Sequence, residues 1–450
     1  MTGSQFELAG STVGIWGFGR EGVSIARAAA AAGAARIEAV DDAGRRPFEE
    51  PEGLGDLAAN LTVFRGAEHL ARLRDCDIVF VSPGVPWHQP FFEELRASGK
   101  RISSAADWFM ARHGSSTIGV TGTKGKSTTA SFLGHLLNHV GVDAVVAGNI
   151  GTPLSDLAPD GDVTVVAEIS SQQAALLTTS PAVAVITNLY EDHLDWHGDR
   201  DSYYFAKANV FRNGARSLVT TPDVVGALGR LGITAIEPEL RLVDPADVGR
   251  TGSRGERSDG EGSNRSLMTY EHNVVNGALA RVAAAEVIGR PVTDDEFDAA
   301  VRTFQGLPHR LQTVRTTGRT RWIDDTLATT GESVTAALRA MDPDEHVALI
   351  VGGMDRQLNY DQLDAYLRSG ARNVSLIQSP TNGAVIGSGF ARDHPSRTYL
   401  VDTLEAAVRT ASALVDVDVV LLSPGAASYD LFANYEAKAA AYCGFIDAVT

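Results

Sequence analysis

The sequence predicts an α/β fold built on parallel sheets with helical crossovers. Short apolar, β-rich runs alternate with stretches rich in Ala and Leu from one end of the chain to the other. Two of these runs pass through a glycine-rich turn into a helix-like segment, at residues 12–32 and 118–140. Further strand candidates at 347–351 and 419–422 extend the pattern into the last third of the chain.

Length and composition limit the possible classes of protein. At 450 residues the chain exceeds one ordinary core, and a prior of about 100 to 200 residues per domain suggests about three. We place them at 1–110, 111–307 and 308–450. With 44% hydrophobic and 21% charged residues the composition is that of a globular protein. The absence of a long apolar run and of a signal pattern predicts a cytoplasmic protein, not associated with membranes.

Charge and cysteine content argue against further kinds of partner and site. A formal net charge of −17 argues against nucleic acid as a partner, so any phosphate site has to be built locally from cations and helix ends. Cys76 and Cys443 are the two cysteines, and they lack the spacing of a zinc site or a disulfide framework.

The first glycine turn, Gly17-Phe18-Gly19-Arg20-Glu21-Gly22, follows the strand candidate 12–16. The next strand candidate, 35–40, ends at Asp41. This spacing resembles the dinucleotide fingerprint, but a tight structural turn and a site for any nucleotide diphosphate remain alternatives. A second small loop, residues 82–86 around Gly84, follows the strand candidate 77–81, where α/β sheets place ligands.

The second glycine turn predicts ATP binding. Residues 121–128 read TGTKGKST and lie between an apolar run and a helix-like one. Backbone N–H groups of such a turn cradle phosphates, while Lys126 would reach the outer phosphates and Ser127 or Thr128 would face Mg²⁺. The loop departs from the usual phosphate-loop pattern because Val120 stands where the first glycine belongs. The predicted ATP contacts here are Gly122, Thr123, Lys124, Gly125, Lys126, Ser127 and Thr128.

Two later strand candidates place polar groups at the same sheet edge. The run 163–167 ends at Glu168, and the run 183–188 leads to His193. Both are candidate Mg²⁺ ligands, the carboxylate being the more natural one for a hard cation. Considered without its neighbours, His193 is expected to be a structural histidine. Lys207, on its helical stretch, is expected to be a solvated lysine.

Two other segments are less informative. In residues 272–276 the two asparagines could contact an adenine edge or cap the following helix, and capping is favoured for at least one of them. Residues 247–266 are rich in Gly, Ser and Arg, which predicts a mobile surface insertion.

Taken together, the motifs resemble the Mur ligases, the ATP-dependent amide-forming enzymes of peptidoglycan precursor synthesis, and in particular the glutamate-adding branch. The segments occur in the family's order along nearly the whole chain: GFGREG, SPGVP, TGTKGKST, GNIGTP, EISSQQ, NLYEDHLDWHG, AKANVF, HNVVN, GLPHR and LSPGAASYDLFANYE. Folate polyglutamate synthetases share the phosphate-loop domain but lack the extra N-terminal domain that the first two segments suggest.

The resemblance implies an architecture and a reaction. It implies a Rossmann-like N-terminal UDP-binding domain, a central ATPase domain and a Rossmann-like C-terminal domain that binds the amino acid. The carboxylate of UDP-N-acetylmuramoyl-L-alanine would attack the γ-phosphate of ATP, and glutamate would capture the resulting acyl phosphate. Closure of the domains would shield this intermediate from water. A monomer is expected.

The resemblance also implies residue roles. It assigns catalysis to Lys126, Glu168, His193 and Lys207, and Mg²⁺ binding to Ser127, Glu168, His193 and a carbamylated Lys207. Further ATP contacts would be Asn273, Asn276, Arg310 and Asp325. The UDP-linked substrate would contact Gly17, Phe18, Gly19, Arg20, Asp41, Gly84, Asn149, Ser170 and Gln173. Glutamate would contact Thr329, Arg356, Ser428 and Tyr435.

One departure bears on the amino acid's configuration. Leu327 stands where enzymes that add D-glutamate usually have a lysine, and together with the Trp16 to Gly22 opening this resembles the branch that adds L-glutamate. D-glutamate is the alternative. A nicotinamide-dependent oxidoreductase and a non-catalytic nucleotide sensor are hypotheses of other classes, and the first leaves the phosphate loop, Glu168 and His193 without a role.

Overall fold

The strands that the structure describes form three sheets, one in each third of the chain. The structure, a computed structural model, describes residues 7–42, 60–86, 88–159, 161–234, 236–246, 271–304, 306–355, 358–428, 431–432 and 434–450. The chain divides into two compact units, Met1–Phe304 and Gln305–Thr450. The predicted mobile insertion at 247–266 lies outside the described residues, and the three domain boundaries stay a prediction.

The N-terminal sheet is parallel, with the strand order β3-β2-β1-β4-β5. The order reverses direction between β1 and β4, and such a switch point opens a crevice at the carboxyl ends of the strands. The Gly17 turn and the loop at 82–86 both leave the sheet there, and Ser82 Oγ donates a hydrogen bond to Gly17 O at 2.6 Å. The elements are β1 Thr12–Trp16, α1 Arg20–Ala31, β2 Arg36–Asp41, β3 Leu61–Arg65, β4 Ile78–Val81, α2 Pro90–Ala97, β5 Arg101–Ser103 and α3 Ala105–His113.

The central sheet is also parallel, in the order β11-β10-β9-β6-β8-β7. β6, which feeds the phosphate loop, therefore lies between β8 and β9, which end near Glu168 and Asn188. The elements are β6 Thr117–Thr121, α4 Lys126–His139, β7 Ala144–Gly148, β8 Thr164–Glu168, α5 Ser171–Ala175, β9 Val183–Ile186, α6 Leu194–His197, α7 Arg200–Arg212, β10 Ser217–Thr220, α8 Pro222–Arg230, β11 Glu239–Leu242, α9 Glu271–Ile288 and α10 Asp294–Thr303.

The C-terminal sheet has the order β12-β13-β17-β14-β15-β16. It departs from the all-parallel expectation because β12 and β13 form an antiparallel pair joined by a tight turn. The elements are β12 Gln312–Thr317, β13 Thr320–Asp324, α11 Gly331–Ala340, β14 His346–Val351, α12 Asp361–Arg368, β15 Asn373–Gln378, α13 Ser388–Asp393, β16 Thr398–Leu400, α14 Leu404–Ala413, β17 Val419–Leu422 and α15 Tyr435–Val449. Short 3₁₀ segments lie at Ala67–Asp75, Gly114–Ser116, Leu154–Asp156 and Pro395–Arg397.

Each sheet is covered by apolar contacts on both faces. In the central sheet, one face packs Val165 and Ile186 against α7, and the other packs Val120 and Val185 against α4 and α9. Strands buried on both faces read as continuous apolar runs, which is why they could be located in the sequence. Within the part of the chain that the structure describes, no helix is long and apolar enough to cross a bilayer.

The Gly17 turn offers a direct test of backbone packing. A Cβ at Gly22 would overlap the carbonyl oxygen of Gly17, whereas a Cβ at Gly19 would meet open space. We expect Gly22→Ala to lower the stability of the protein by about 1 to 3 kcal/mol, and Gly19→Ala to change it by less than about 0.5 kcal/mol. Thermal unfolding of both variants checks this. Equal effects would show that the close approach of α1 to the turn does not decide stability.

Candidate functional site

The phosphate loop has the backbone that its sequence predicts. β6 ends at Thr121, and α4 begins at Lys126 after Gly125 in the left-handed region (φ 81°). Gly122 also has a positive φ, of 144°, and a Cβ there would overlap the Thr187 hydroxyl. A Cβ on Gly125 would lie 2.5 Å from Asn276 Oδ1. Both positions therefore require glycine, and the turn can form a concave cradle of backbone N–H groups at a helix N-terminus.

Residues that follow β9 hold the loop from behind. Asn188 accepts a hydrogen bond from Lys124 N at 2.9 Å and donates one to Lys124 O at 2.9 Å. Thr187 Oγ1 donates to the same carbonyl at 2.6 Å, and Thr123 Oγ1 accepts from Tyr190 N at 3.0 Å. These bonds fix the turn before any ligand arrives. Roles in holding the loop were not predicted for these residues from the sequence, although their position after a strand was a signal.

Lys207 is buried beneath the loop, which corrects the expectation of a solvated lysine. Its side chain is 1% exposed, and Nζ donates a hydrogen bond to Gly122 O at 2.8 Å and lies 4.7 Å from the centre of the Tyr203 ring. Burial lowers the pKa of Lys207 well below its usual value, and the nearby charge of Lys126 lowers it further. The inward face of α7 cannot be identified from the sequence around Lys207, since Ala206 and Ala208 flank it and aromatic residues occur at both buried and exposed positions of the helix.

Glu168 ends β8 beside the loop, as predicted. Its side chain is buried, and Oε1 accepts a hydrogen bond from Asn149 Nδ2 at 2.8 Å. Oε2 is also buried, and it has no hydrogen-bond partner among the described residues. A buried carboxylate oxygen without a donor fits the role of a cation ligand. The charge of Glu168 raises the pKa of Lys207, against the larger lowering by burial.

His193 follows β9 in the left-handed backbone region, at φ 52°. Burial lowers its pKa, with the positive charges of Lys207 and Lys126 contributing in the same direction and Asp192 opposing them. A neutral imidazole is the form that binds metals. The pKa of His193 is thus sensitive to the charges of Lys126 in the phosphate loop and of the buried Lys207. Asp192 adds a carboxylate for which no role was predicted, and its Oδ2 lies 3.7 Å from Lys124 Nζ.

The described residues do not form a ready-made metal site from acidic, His and Cys side chains alone, since none of them gather in groups of three or more that could hold an ion. Mg²⁺ commonly keeps several waters and uses one or two carboxylates together with substrate phosphates. Glu168 with the Ser127 hydroxyl at the start of α4 fits that pattern. The residues present are therefore compatible with Mg²⁺.

Asn273 and Asn276 lie inside α9, so the preference for a capping role was wrong for this helix. Both side chains are buried, and Asn276 Nδ2 donates a hydrogen bond to Asn273 Oδ1 at 3.1 Å. Asn276 also lies against Gly125, as its closeness to a Cβ at that position shows. The structure thus brings α9 to the phosphate loop, where the ATP prediction placed it.

The residues predicted for the UDP-linked substrate divide between two elements that meet. Arg20, at the start of α1, donates hydrogen bonds to Gly148 O at 3.0 Å and Asn149 O at 3.4 Å. Ser170 and Gln173 form a capping box at α5. Phe18 differs from the expectation, since its side chain lies in the core of the N-terminal sheet and leaves its backbone as the part that can contact a ligand. Asp41 is half-buried at the end of β2, and Gly84 is exposed.

Arg310 and Asp325 belong to the second unit, residues 305–450. Asp325 is buried, and its carboxylate accepts hydrogen bonds from Ser423 Oγ at 2.7 Å and Leu311 N at 3.2 Å. Burial raises the pKa of Asp325 to about 7, against the opposing effect of these bonds and of Arg310. Arg310 Nε is buried without a hydrogen-bond partner among the described residues.

The residues predicted to bind glutamate lie in the same unit. Ser428 is 3% exposed, and its hydroxyl has no hydrogen-bond partner within the described part of the chain. Tyr435 opens α15, and its ring centre is 5.6 Å from that of His309 in an edge-to-face arrangement. Thr329 is half-buried just before α11, two residues after Leu327, which stands at the position of the usual lysine. Arg356 lies outside the described residues.

Comparison with known proteins identifies the family. Residues 120–223 match the Mur ligase middle domain, and residues 309–426 match the Mur ligase glutamate ligase domain. A UDP-N-acetylmuramoyl-L-alanine–L-glutamate ligase from Micromonospora is 40% identical over 445 residues, covering 96% of this chain and 95% of that protein. A UDP-N-acetylmuramoylalanine–D-glutamate ligase from Geobacter metallireducens is 31% identical over 458 residues, covering 98% of both chains.

A solved structure shows the same fold at low sequence identity. The crystal structure of a UDP-N-acetylmuramate-alanine ligase from Thermotoga maritima superimposes with a TM-score of 0.60, at 18% identity, over 98% of this chain and 100% of that one. The sequence relationships extend over nearly the full chain and agree with the arrangement of the phosphate loop. The chain therefore belongs to the Mur ligase family of ATP-dependent amide-forming ligases.

Proposed function

We propose that the protein joins glutamate to UDP-N-acetylmuramoyl-L-alanine, using ATP and releasing ADP and phosphate, in the synthesis of peptidoglycan precursors. The observation that carries this proposal is the phosphate loop surrounded by Lys126, Glu168, His193 and a buried Lys207. The relatives named for this reaction span nearly the whole chain and support the substrate assignment.

The proposed chemistry has two steps. A carboxylate oxygen of the alanyl group attacks the γ-phosphorus of ATP, the bond from that phosphorus to ADP breaks, and an acyl phosphate forms. The glutamate amine then attacks the acyl carbon, phosphate leaves with its bonding electrons, and the amine loses a proton. The loop amides and Lys126 stabilise the charge that spreads over the transferring phosphoryl group.

Mg²⁺ would be held by Glu168, His193 and the Ser127 hydroxyl, with Lys207 as a further ligand if CO₂ converts it to a carbamate. When bound, the ion supplies positive charge beside the phosphates. Glu168 Oε2 supports this proposal because it is a buried acceptor that lacks a donor among the described residues. A buried lysine with a lowered pKa supports the carbamate, since the neutral amine is the form that reacts with CO₂.

The roles predicted for the substrate and amino-acid contacts remain proposals. Asn149, Ser170, Gln173 and Arg20 lie on elements that meet in the first unit, which supports a shared site for the UDP-linked substrate. Ser428 supports an amino-acid site in the second unit because its buried hydroxyl lacks a partner among the described residues. We also propose that the three sheets correspond to domains at 1–110, 111–307 and 308–450.

We propose L-glutamate as the preferred amino acid. Leu327 at the position of the usual lysine supports this, and so does the 40% identity to a relative named for L-glutamate, compared with 31% for one named for D-glutamate. Purified protein with UDP-N-acetylmuramoyl-L-alanine, ATP and Mg²⁺ is expected to release phosphate faster with L-glutamate than with D-glutamate.

The assay pairs each enantiomer with the same nucleotide substrate and includes a control without amino acid. Faster release with D-glutamate would overturn the assignment of configuration while leaving the ligase proposal intact. Amino-acid-independent release, or none with either enantiomer, would contradict the ligase proposal itself.

A further inference from the structure

Glu21 is a half-buried acid in the first turn of α1 that the proposed function does not yet use. It directly follows Arg20 in the Gly17 turn. Glu21 Oε1 accepts a hydrogen bond from Gln173 Nε2 at 2.6 Å. Glu21 Oε2 is buried and has no hydrogen-bond partner in the part of the chain that the structure describes. One oxygen of this carboxyl group is therefore bonded to a residue 152 positions away, and the other is buried without a partner among the described residues.

The bond to Glu21 sets the orientation of the Gln173 amide. Gln173 Oε1 accepts a hydrogen bond from Ser170 N at 2.8 Å, and Gln173 N donates one to Ser170 Oγ at 3.1 Å. With its oxygen turned to Ser170 and its nitrogen to Glu21, this buried side chain has one defined orientation. Ser170 and Gln173 are proposed contacts of the UDP-linked substrate, so Glu21 connects the Gly17 turn to that site.

The protonation state of Glu21 changes the charge at the start of α1. Burial raises the pKa of Glu21 to about 7, opposed by the Gln173 hydrogen bond and by the charge of Arg20. The raised pKa means that the neutral form predominates below about pH 7 and the anion above it. An ionised Glu21 would repel a diphosphate bound near the glycine turn. A protonated Glu21 would carry an O–H group at Oε2 that can donate a hydrogen bond.

Other charged or titratable groups on the elements packed against α1 are Asp41 at the end of β2 and Arg112 and His113 in the last turn of α3. Three further groups have partners of their own. Arg27, on α1 itself, pairs with Asp156 of the Leu154–Asp156 segment at 3.5 Å. On α3, Asp107 accepts hydrogen bonds from Ser103 and Thr178. On β2, Glu38 pairs with Arg36 at 3.3 Å and with Arg72 at 3.4 Å. α5, the element that faces Glu21, has the uncharged sequence SQQAA.

We propose that Glu21 is a positioning residue for the UDP-linked substrate: it orients Gln173, and its protonated carboxyl group admits the diphosphate at the Gly17 turn while its ionised form weakens binding. This inference rests on the proposed function. Its chemical basis is that only one oxygen of Glu21 has a hydrogen-bond partner among the described residues, next to a turn that is proposed to bind a diphosphate. Substrate affinity is accordingly linked to pH through a residue that takes no part in phosphoryl transfer.

The test is the affinity of the protein for UDP-N-acetylmuramoyl-L-alanine as a function of pH, measured by isothermal titration calorimetry with Mg²⁺ and a non-hydrolysable ATP analogue. The wild-type Kd is expected to rise about fivefold from about pH 6 to about pH 8.5, as one added negative charge near an anion would cause. Glu21→Gln keeps the size and an acceptor for Gln173, and its Kd is expected to stay constant over this range.

Glu93→Gln is the matched control, because Glu93 is an exposed acid on α2, which connects β4 and β5 of the N-terminal sheet. The Kd of this variant should show the same pH dependence as that of the wild type. A pH-independent Kd of the wild type, or an unchanged slope in Glu21→Gln, would overturn the proposal even if the enzyme turns over glutamate. If thermal unfolding shows that Glu21→Gln is not folded, the pH dependence of the wild-type Kd decides alone. No binding of the nucleotide sugar at any pH would count against both this inference and the proposed function.

Discussion

Lys126→Ala is expected to reduce glutamate-dependent phosphate release by about 10³-fold or more, because it removes the cation placed to meet the transferring phosphoryl group. Lys126 is the first residue of α4 and follows the left-handed Gly125. Its Nζ lies 3.1 Å from Thr123 O, across the turn that would hold the phosphates. The measurement is steady-state phosphate release with saturating ATP and substrate.

Lys124→Ala is the control for this effect. Lys124 belongs to the same loop, but its side chain is 66% exposed and makes a surface ion pair with Asp192. Surface pairs contribute about 0 to 1 kcal/mol, so we expect a loss of less than about tenfold. Comparable losses in the two variants would show that the loop's general positive charge matters rather than the placement of Lys126. A protein that senses nucleotide without catalysis would show no turnover to lose.

Glu168→Gln is expected to reduce phosphate release by about 10²-fold or more and to raise the Mg²⁺ concentration required for half-maximal rate. Glutamine can still accept the hydrogen bond from Asn149, so the variant mainly removes the negative charge at Oε2. The rate is measured as a function of Mg²⁺ concentration at fixed ATP.

The matched control for this prediction is Glu191→Gln, since Glu191 is an exposed acid on the segment that follows β9. It should leave both the rate and the Mg²⁺ dependence within about twofold of the wild type, as surface substitutions usually have small effects. If Glu168→Gln kept the wild-type Mg²⁺ dependence, Glu168 would not be a ligand of the metal.

Local sequence patterns were sufficient to locate much of the central site. The phosphate loop could be recognised because glycine, lysine and hydroxyl residues follow a buried strand at a spacing that backbone geometry dictates. Glu168 could be placed because carboxyl ends of parallel strands share one edge of a sheet. Both predictions depend on residues that are close in sequence, or on a rule of sheet topology.

Other features depend on contacts that a single sequence does not display. Lys207 is buried because α7 turns that face toward Gly122, and the sequence around it does not mark which face is inward. Asn273 and Asn276 lie within α9, since the helix begins earlier than the apolar pattern suggested. The hydrogen bond between Glu21 and Gln173 spans 152 positions, so the local sequence around either residue does not predict the contact.

The attachment of the phosphate loop to the residues after β9 has a consequence for folding. Thr187 and Asn188 hold Lys124 from 63 and 64 positions further along the chain. The loop can therefore take its binding shape once β9 has paired with β6 and the central sheet is assembled. Nucleotide binds the assembled sheet in preference to unfolded chains, so ATP should shift the population toward fully folded molecules by mass action. Retention on immobilised ATP would then report the completeness of the central sheet in a preparation of the protein.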